Sequence, residues 1–394
     1  MSNAITLTGL TEILYKSRDI VAAEPVAFCN SVMINSNGSE RVSINGTVKS
    51  IRTGQPTLNT SFTPAMTIPA ADDYSTTTDS VAVGQTANVK IPLRGEELRQ
   101  LQNCSSDDDF KNNVVSQAFR TIRNAIEAHV AGVAYKGASR ATGTAGTTPF
   151  ASNYNIINAA RQILVDNGCG NIEGSVSAIM NTTAGTNLRN LSNLQKVNES
   201  GNDSLLRRGT LLDISGIMLK ESAGITTGVT AGTMASATST SAAFTVGQTV
   251  IPLATAGTGV VAAGDSVTFA NDTNVYVVAS VSFAGANPAS GDSITLNYPG
   301  LRKAQSAATR AITVTAAFTP NVVLHRNSTE LIIRPPAMPD SGDAALDRTT
   351  LADPISGLVF EMAIYKGYGM NMLDITTYYQ AKVWKPEFVV NLLG

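Results

Sequence analysis

The run ASRATGTAGTTPF, residues 138–150, sets Gly143 and Gly146 among small hydroxylated side chains. Loops of this composition can cradle a phosphate on their backbone N–H groups. That chemistry needs a strand before the loop, a helix N-terminus after it and a lysine behind the last glycine. Here the loop follows a predicted helix C-terminus, where the dipole is negative. Thr147 stands where the lysine belongs, and no G-x-G-x-x-G is present. The run is therefore expected to be an ordered, turn-rich connector. A hydrolytic triad is no better supported: His129 and His325 are the two histidines, and no G-x-S-x-G elbow exists to pair with either. Asp107, Asp108 and Asp109 are consecutive, so on a helix they point in different directions and cannot share a metal. The loop SGDAALD, with Asp340, Asp343 and Asp347, does not match a calcium loop. Cys29, Cys104 and Cys169 are far apart and form no C-x-x-C, which excludes a disulfide framework and a Cys/His zinc site. No catalytic residue, cofactor-binding residue or metal ligand is expected, and the chain is read as a non-enzyme.

The composition points elsewhere. Of 394 residues, 43% are apolar, enough for a substantial core, but only 15% are charged, against about 25% in ordinary soluble proteins. A surface so poor in charge is expected to be buried partly against other chains. The net charge is −2 and no Lys/Arg run forms a stripe, so sequence-specific DNA binding is not expected. No basic, apolar leader and no uninterrupted apolar span is read in the sequence, so the expectation is folding in a cytoplasm without membrane contact.

The elements follow from periodicity. Residues 9–22, with Leu10, Ile13, Leu14 and Val21, predict a short amphipathic helix ending before Pro25. Residues 42–93 have strand-like ends (Val42, Ile44, Val48, Ile51; Val81, Val83, Val89, Ile91) around a polar Thr/Pro/Ser middle, 53–80. This predicts an extended two-stranded excursion with little core of its own, which must lie on something else because lone hairpins are marginal in water. Ser105-Ser106 followed by three aspartates predicts a helix cap whose acids complement the dipole. The helix then runs to about Lys136 along a stripe of Phe110, Val114, Ala118, Ile122, Ile126, Val130 and Val133, with Gly137 as its expected C′ residue. Further helices are expected over 153–167 and from 183, with strand segments at 177–181 and within 205–220. From 226 to 318 there are only six charges (Asp265, Asp272, Asp292, Arg302, Lys303, Arg310) and recurrent short alternating runs. They predict a small all-β barrel or sandwich interrupting an α+β chain. Beyond Pro320, LVFEMAIYK and DITTYYQAKVWK should pair as antiparallel strands across Gly367-Tyr368-Gly369, and Asp353–Gly357 should form a turn.

Several of these segments, in order, resemble the P22-type coat protein family of tailed double-stranded DNA bacteriophages. They are Ala138–Phe150; Leu205-Leu206-Arg207-Arg208-Gly209 with Leu211-Leu212-Asp213; Gly264–Ala270 with Val275-Tyr276-Val277-Val278; Leu324-His325-Arg326 with Pro336–Pro339; and Asp353–Leu358 with Phe360–Lys366 and Val383–Glu387. The likeness covers about 95–394; residues 1–90 agree in layout more than in letters. The resemblance implies an α+β, HK97-like capsid fold with an inserted all-β domain. Its parts would be an N-terminal arm (1–41), an E-loop hairpin (42–93), a peripheral domain (94–149) with a spine helix (105–136), an axial domain in two parts (150–225 and 319–366), an insertion (226–318) and a C-terminal strand region (367–394). It implies a major capsid protein that forms pentamers and hexamers, closes an icosahedral shell and expands on maturation. Its implied partners are itself, a scaffolding protein, a portal protein and packaged DNA held non-specifically. It implies residence in the virion after assembly in the host cytoplasm. Arg52, Asp72 and Asp73 are then the candidate inter-subunit contacts of the E-loop. Two alternatives stay open: a bacterial nanocompartment shell of the same fold, and a secreted β-rich adhesin suggested by the Thr/Ser/Gly-rich segment.

Overall fold

The computed structural model describes residues 25–52, 63–68, 77–96, 107–196, 211, 213–225, 228–255, 257–283, 289–352 and 358–394. The expected helix 9–22, the Ser105-Ser106 cap, the run 205–209 and the turn 353–357 lie outside them. The long helix, α1, spans Asp107–Lys136, 30 residues, and so about 45 Å. Of the predicted stripe, Ala118, Ile122, Ile126 and Val130 are buried, and Val114 and Val133 are half-buried; the side chain of Phe110 lies outside the described set. A strict i+4 row drifts about 40° per step around a 3.6-residue helix. The buried face is accordingly shared with Val115, Phe119, Ala131 and Ala134. Gly137 ends the helix, its N–H bonded to the Val133 carbonyl at 3.0 Å. Its φ is not left-handed, contrary to the C′ role expected of it. The reason for glycine is space, because a Cβ here would sit 2.5 Å from Val383 Cγ2.

α1 lies where two sheets meet. The first has six strands in the order Met33–Ser36, Thr329–Arg334, Met370–Val383, Val359–Lys366, Ala345–Ala352, with Gln85–Arg94 also paired to Met370–Val383. The expected pairing across Gly367–Gly369 is present, Lys366 opposite Asn371. Alternate residues of the long strand (Leu373, Ile375, Tyr379, Ala381, Val383) are buried and join the core under α1. Phe360 meets Phe119 edge-to-face at 5.2 Å. The second sheet has eleven strands. Its central path runs Met218–Glu221, Val176–Met180, Pro320–His325, Val389–Leu393, Arg140–Gly143, Val275–Ser282. Helices α2 (Asn155–Asp166) and α3 (Thr182–Arg189) cover one face. Asn181 caps α3, its side chain accepting from the Ala184 N–H at 2.8 Å. Val323, Val390 and Leu392 pack toward these helices, while Val322, Leu324 and Val389 pack toward α1. Strands buried on both faces read as continuous apolar runs, which is how PNVVLH and VVNLL appear in the sequence.

Strands within 226–318 are Thr238–Ser239, Val250–Thr255, Ser266–Phe269, Val275–Ser282, Ser293–Leu296 and Ile312–Val314, and no helix falls among its described residues. They enclose their own core, built on Phe244, Ile251, Leu253, Phe269, Tyr276 and Ile294. The strands of 319–366 divide between the two sheets. Pro320–His325 lies in the eleven-stranded sheet; Thr329–Arg334, Ala345–Ala352 and Val359–Lys366 lie in the six-stranded one.

Candidate assembly surface

Thr47–Arg52 and Thr77–Ala82 form a two-stranded antiparallel sheet of their own, Thr47 opposite Ala82 and Arg52 opposite Thr77. Alternation puts Val48 opposite Val81 on one face. With Val42 and Val83 they bury on Ile332, flanked by Tyr378 and Trp384. This is the whole apolar footing of the hairpin among the described residues. Residues 63–68 are exposed throughout, Met66 and Ile68 at 107% and 93%. Two nearly bare apolar side chains on a segment with no core of its own are costly in water, at about 25 cal/mol per Å² of apolar surface. Of the three contact residues predicted here, Arg52 closes the strand register opposite Thr77. Asp72 and Asp73 lie outside the described residues.

The connector is more ordered than its composition suggests. Arg140–Gly143 is not a turn but a strand, parallel to Val389–Leu393 and antiparallel to Val275 and Tyr276. Turn conformation begins at the glycines, Gly143 (φ 103°) and Gly146 (φ 78°). A Cβ on Gly143 would come within 2.8 Å of the Leu393 carbonyl oxygen. Arg140 is 3% exposed. Its guanidinium donates to Asn274 Oδ1 (3.2 Å), Asn167 Oδ1 (3.1 Å) and the Ile163 carbonyl (3.3 Å), and burial lowers its pKa from the ordinary arginine value. Beside it Tyr276, fully buried, donates to Asp272 Oδ2 at 2.8 Å and accepts from the Arg302 N–H at 3.0 Å. Burial drives the Tyr276 phenol well above its ordinary range. Asn297 Nδ2 donates to the carbonyls of Lys136 and Ala138 at 2.9 and 2.7 Å. These bonds fasten the β-rich segment to the end of α1 and to α2. Sequence reading did not single out Arg140: its partners lie 23 to 134 residues away, and nothing local marks them.

Residues considered for chemistry make the following contacts. His129 packs edge-to-face on Tyr379 at 5.4 Å, and its Nε2 accepts from the Ala381 N–H at 3.4 Å. His325 Nδ1 accepts from the Asn327 N–H at 3.2 Å. Asp343 accepts from Arg348 and, at 2.7 Å, from Tyr365. The phenol of Tyr365 is pushed up to about 12 by burial and by that carboxylate. Arg348 also reaches the buried Glu361, which pairs with Arg41 at 2.5 Å. Among the described residues no group of three His, Cys, Asp or Glu side chains is placed to hold a metal. No described helix is long and apolar enough to cross a membrane.

No protein-family model matches the chain, and no curated protein matches it in sequence. Among solved structures, similar chains include one from Mycobacterium phage Che8 (TM-score 0.47, 13% identity, covering 94% of this chain and 92% of that one). The capsid of the Cyanophage P-SCSP1u is similar at TM-score 0.47 and 10% identity, with 94% and 88% covered. A virus-like particle from Pyrococcus furiosus is similar at TM-score 0.41 and 6% identity, with 97% and 96% covered.

Proposed function

We propose that the chain is the major capsid protein of a tailed double-stranded DNA bacteriophage, with an HK97-like fold of the P22 coat type. In this reading it forms pentamers and hexamers, closes an icosahedral shell around packaged DNA and expands from procapsid to mature capsid, with a scaffolding protein and a portal as partners. The observation that carries it is the hairpin 47–82. It has a footing of a few valines on Ile332, and beyond that it presents Met66 and Ile68 to solvent. A neighbouring subunit under the hairpin supplies the apolar surface it lacks. The low charge of the chain, the long helix at the junction of two sheets and the ordered series of family-like segments from 138 onward support the same reading. The seven parts expected from the resemblance are carried over as the proposed domain plan.

The test is assembly. The full-length chain is expressed with its scaffolding protein, and the product is sized by sedimentation and imaged by negative stain. Closed shells of uniform diameter are expected; monomers and dimers alone contradict the proposal. Shells that enclose a protein cargo and no nucleic acid when isolated from their natural source assign the fold to a nanocompartment instead.

A further inference from the structure

Glu127 lies on α1 among the apolar residues of its buried face and is 1% exposed. Among the described residues no cation bonds to its carboxylate. Oε1 accepts from the N–H groups of Ala27 and Phe28 at 2.7 and 2.8 Å, and Oε2 from that of Cys29 at 3.0 Å. The Ser222 hydroxyl donates to Oε1 at 2.6 Å. Three successive amides converging on one anion form a nest, a geometry that binds negative charge through backbone dipoles. The site is shaped for this residue. A Cβ on Gly224 would stand 2.7 Å from Glu127 Cγ, so glycine is needed where the 222–225 turn crosses the helix. The Ala223 N–H bonds the Pro25 carbonyl at 3.0 Å, tying the same turn to the same stretch. Arg123, one turn back on α1, is half-buried and is the positive group nearby; the Cys29 thiol faces the carboxylate, and burial together with that charge raises its pKa.

We propose that Glu127 is a latch that fixes the path of residues 25–32 across α1 and against the 222–225 turn. Hydrogen bonds to a buried charge are about twice as strong as neutral ones and strongly directional. Apolar packing of Phe28 and Val32 holds the stretch to the core, but it does not by itself fix its path. The carboxylate does, by demanding three particular N–H groups. Resting on the capsid reading, the stretch 25–32 must keep this path for the subunit to assemble, so replacing the carboxylate separates folding from correct assembly.

The experiment uses the full-length soluble subunit. Amide hydrogen exchange is compared for wild type, Glu127→Gln and Glu127→Ala, the last with sodium acetate and with sodium chloride. In Glu127→Gln one oxygen becomes an NH₂ group that faces donors, so amides 27–29 should exchange about tenfold faster or more, while those of Ile332 and Ile333 stay as protected as in wild type. Acetate, but not chloride, should slow them again in Glu127→Ala by entering the vacated nest. Unchanged exchange at 27–29 in Glu127→Gln overturns the latch. So does equal acceleration throughout the core, or rescue by both salts alike. Assembly is then scored by negative stain. Misshapen or open shells from folded Glu127→Gln are expected. Normal shells despite loosened amides overturn the role in assembly. Failure of wild type to form shells counts against the capsid reading and leaves the exchange result standing.

Discussion

Two glycines five residues apart, Gly132 within α1 and Gly137 just past its end, should respond oppositely to the same substitution. A Cβ added at Gly132 meets nothing within 4 Å. Gly132→Ala therefore gains helix propensity without a clash, about 0.8–1.0 kcal/mol. A Cβ added at Gly137 lies 2.5, 2.6 and 3.1 Å from Val383 Cγ2, Cβ and Cγ1, where carbon atoms settle at about 3.5–4.0 Å. Val383 cannot retreat easily. Its strand is registered against Thr329, and the next N–H, that of Trp384, bonds the Ser328 carbonyl at 2.8 Å. Either the helix end or the strand must shift, at an overpacking cost of about 1–3 kcal/mol. Lower unfolded-state entropy offsets roughly 0.4–1 kcal/mol of that. The net expectation is a loss of about 1–2 kcal/mol at Gly137, and so about 2–3 kcal/mol between the two variants. Urea unfolding of the soluble subunit, followed by far-ultraviolet circular dichroism, reads both midpoints. Midpoints that move in the same direction, or a more stable Gly137→Ala, refute the packing argument for the helix end.

Other perturbations test other parts of the fold. Ile122→Asp puts an unpaired carboxylate at a site 1% exposed, at a cost of about 3–5 kcal/mol; wild-type soluble yield and urea midpoint contradict this. Arg140→Met leaves the oxygens of Asn167 and Asn274 without their donor and should cost about 1.5–3 kcal/mol. Limited proteolysis should then cut first within 226–318, and an unchanged digestion pattern tells against the fastening role of Arg140. Burial lowers the pKa of His129, and burial with Lys385 nearby lowers that of His325. The unfolded chain therefore binds more protons than the folded one just below the ordinary value of about 6.5. Their contribution is full above that pH and is lost as pH falls through the window beneath it. The double variant His129→Gln, His325→Gln should flatten the slope of urea midpoint between about pH 7 and 5.5; an unaltered slope shows that neither ring stays neutral in the fold. Replacing 53–76 by a short turn keeps the Val48–Val81 footing, so the subunit should fold while assembly fails. Loss of the native circular dichroism spectrum in that deletion contradicts the assignment of the hairpin.

What was legible in the sequence was what repeats locally. The 3.6-residue period of α1 identified the helix and part of its buried face, and the fall in charge after Thr226 marked a β-rich segment whose strands then appeared. Features made by distant pairing were not legible. Arg140 reads as one more polar residue in a connector until residues near 163, 274 and 390 are brought beside it. Glu127 carries no local sign of burial, because its partners lie 95 to 100 residues away. The division of 319–366 between two sheets follows from long-range ladders, and the period-2 pattern is the same in either sheet. Gly137 shows how a right residue can be given the wrong reason. Its place at a helix end suggested a left-handed cap, while the cause is contact with a strand 246 residues further on.

The central claim is that this chain is a shell-forming subunit, and particle mass tests it most directly. The chain is expressed with the proposed scaffolding partner and analysed by native mass measurement together with negative-stain imaging. The account predicts closed icosahedral shells built from pentamers and hexamers of this subunit. A folded protein that stays monomeric or dimeric under those conditions contradicts it.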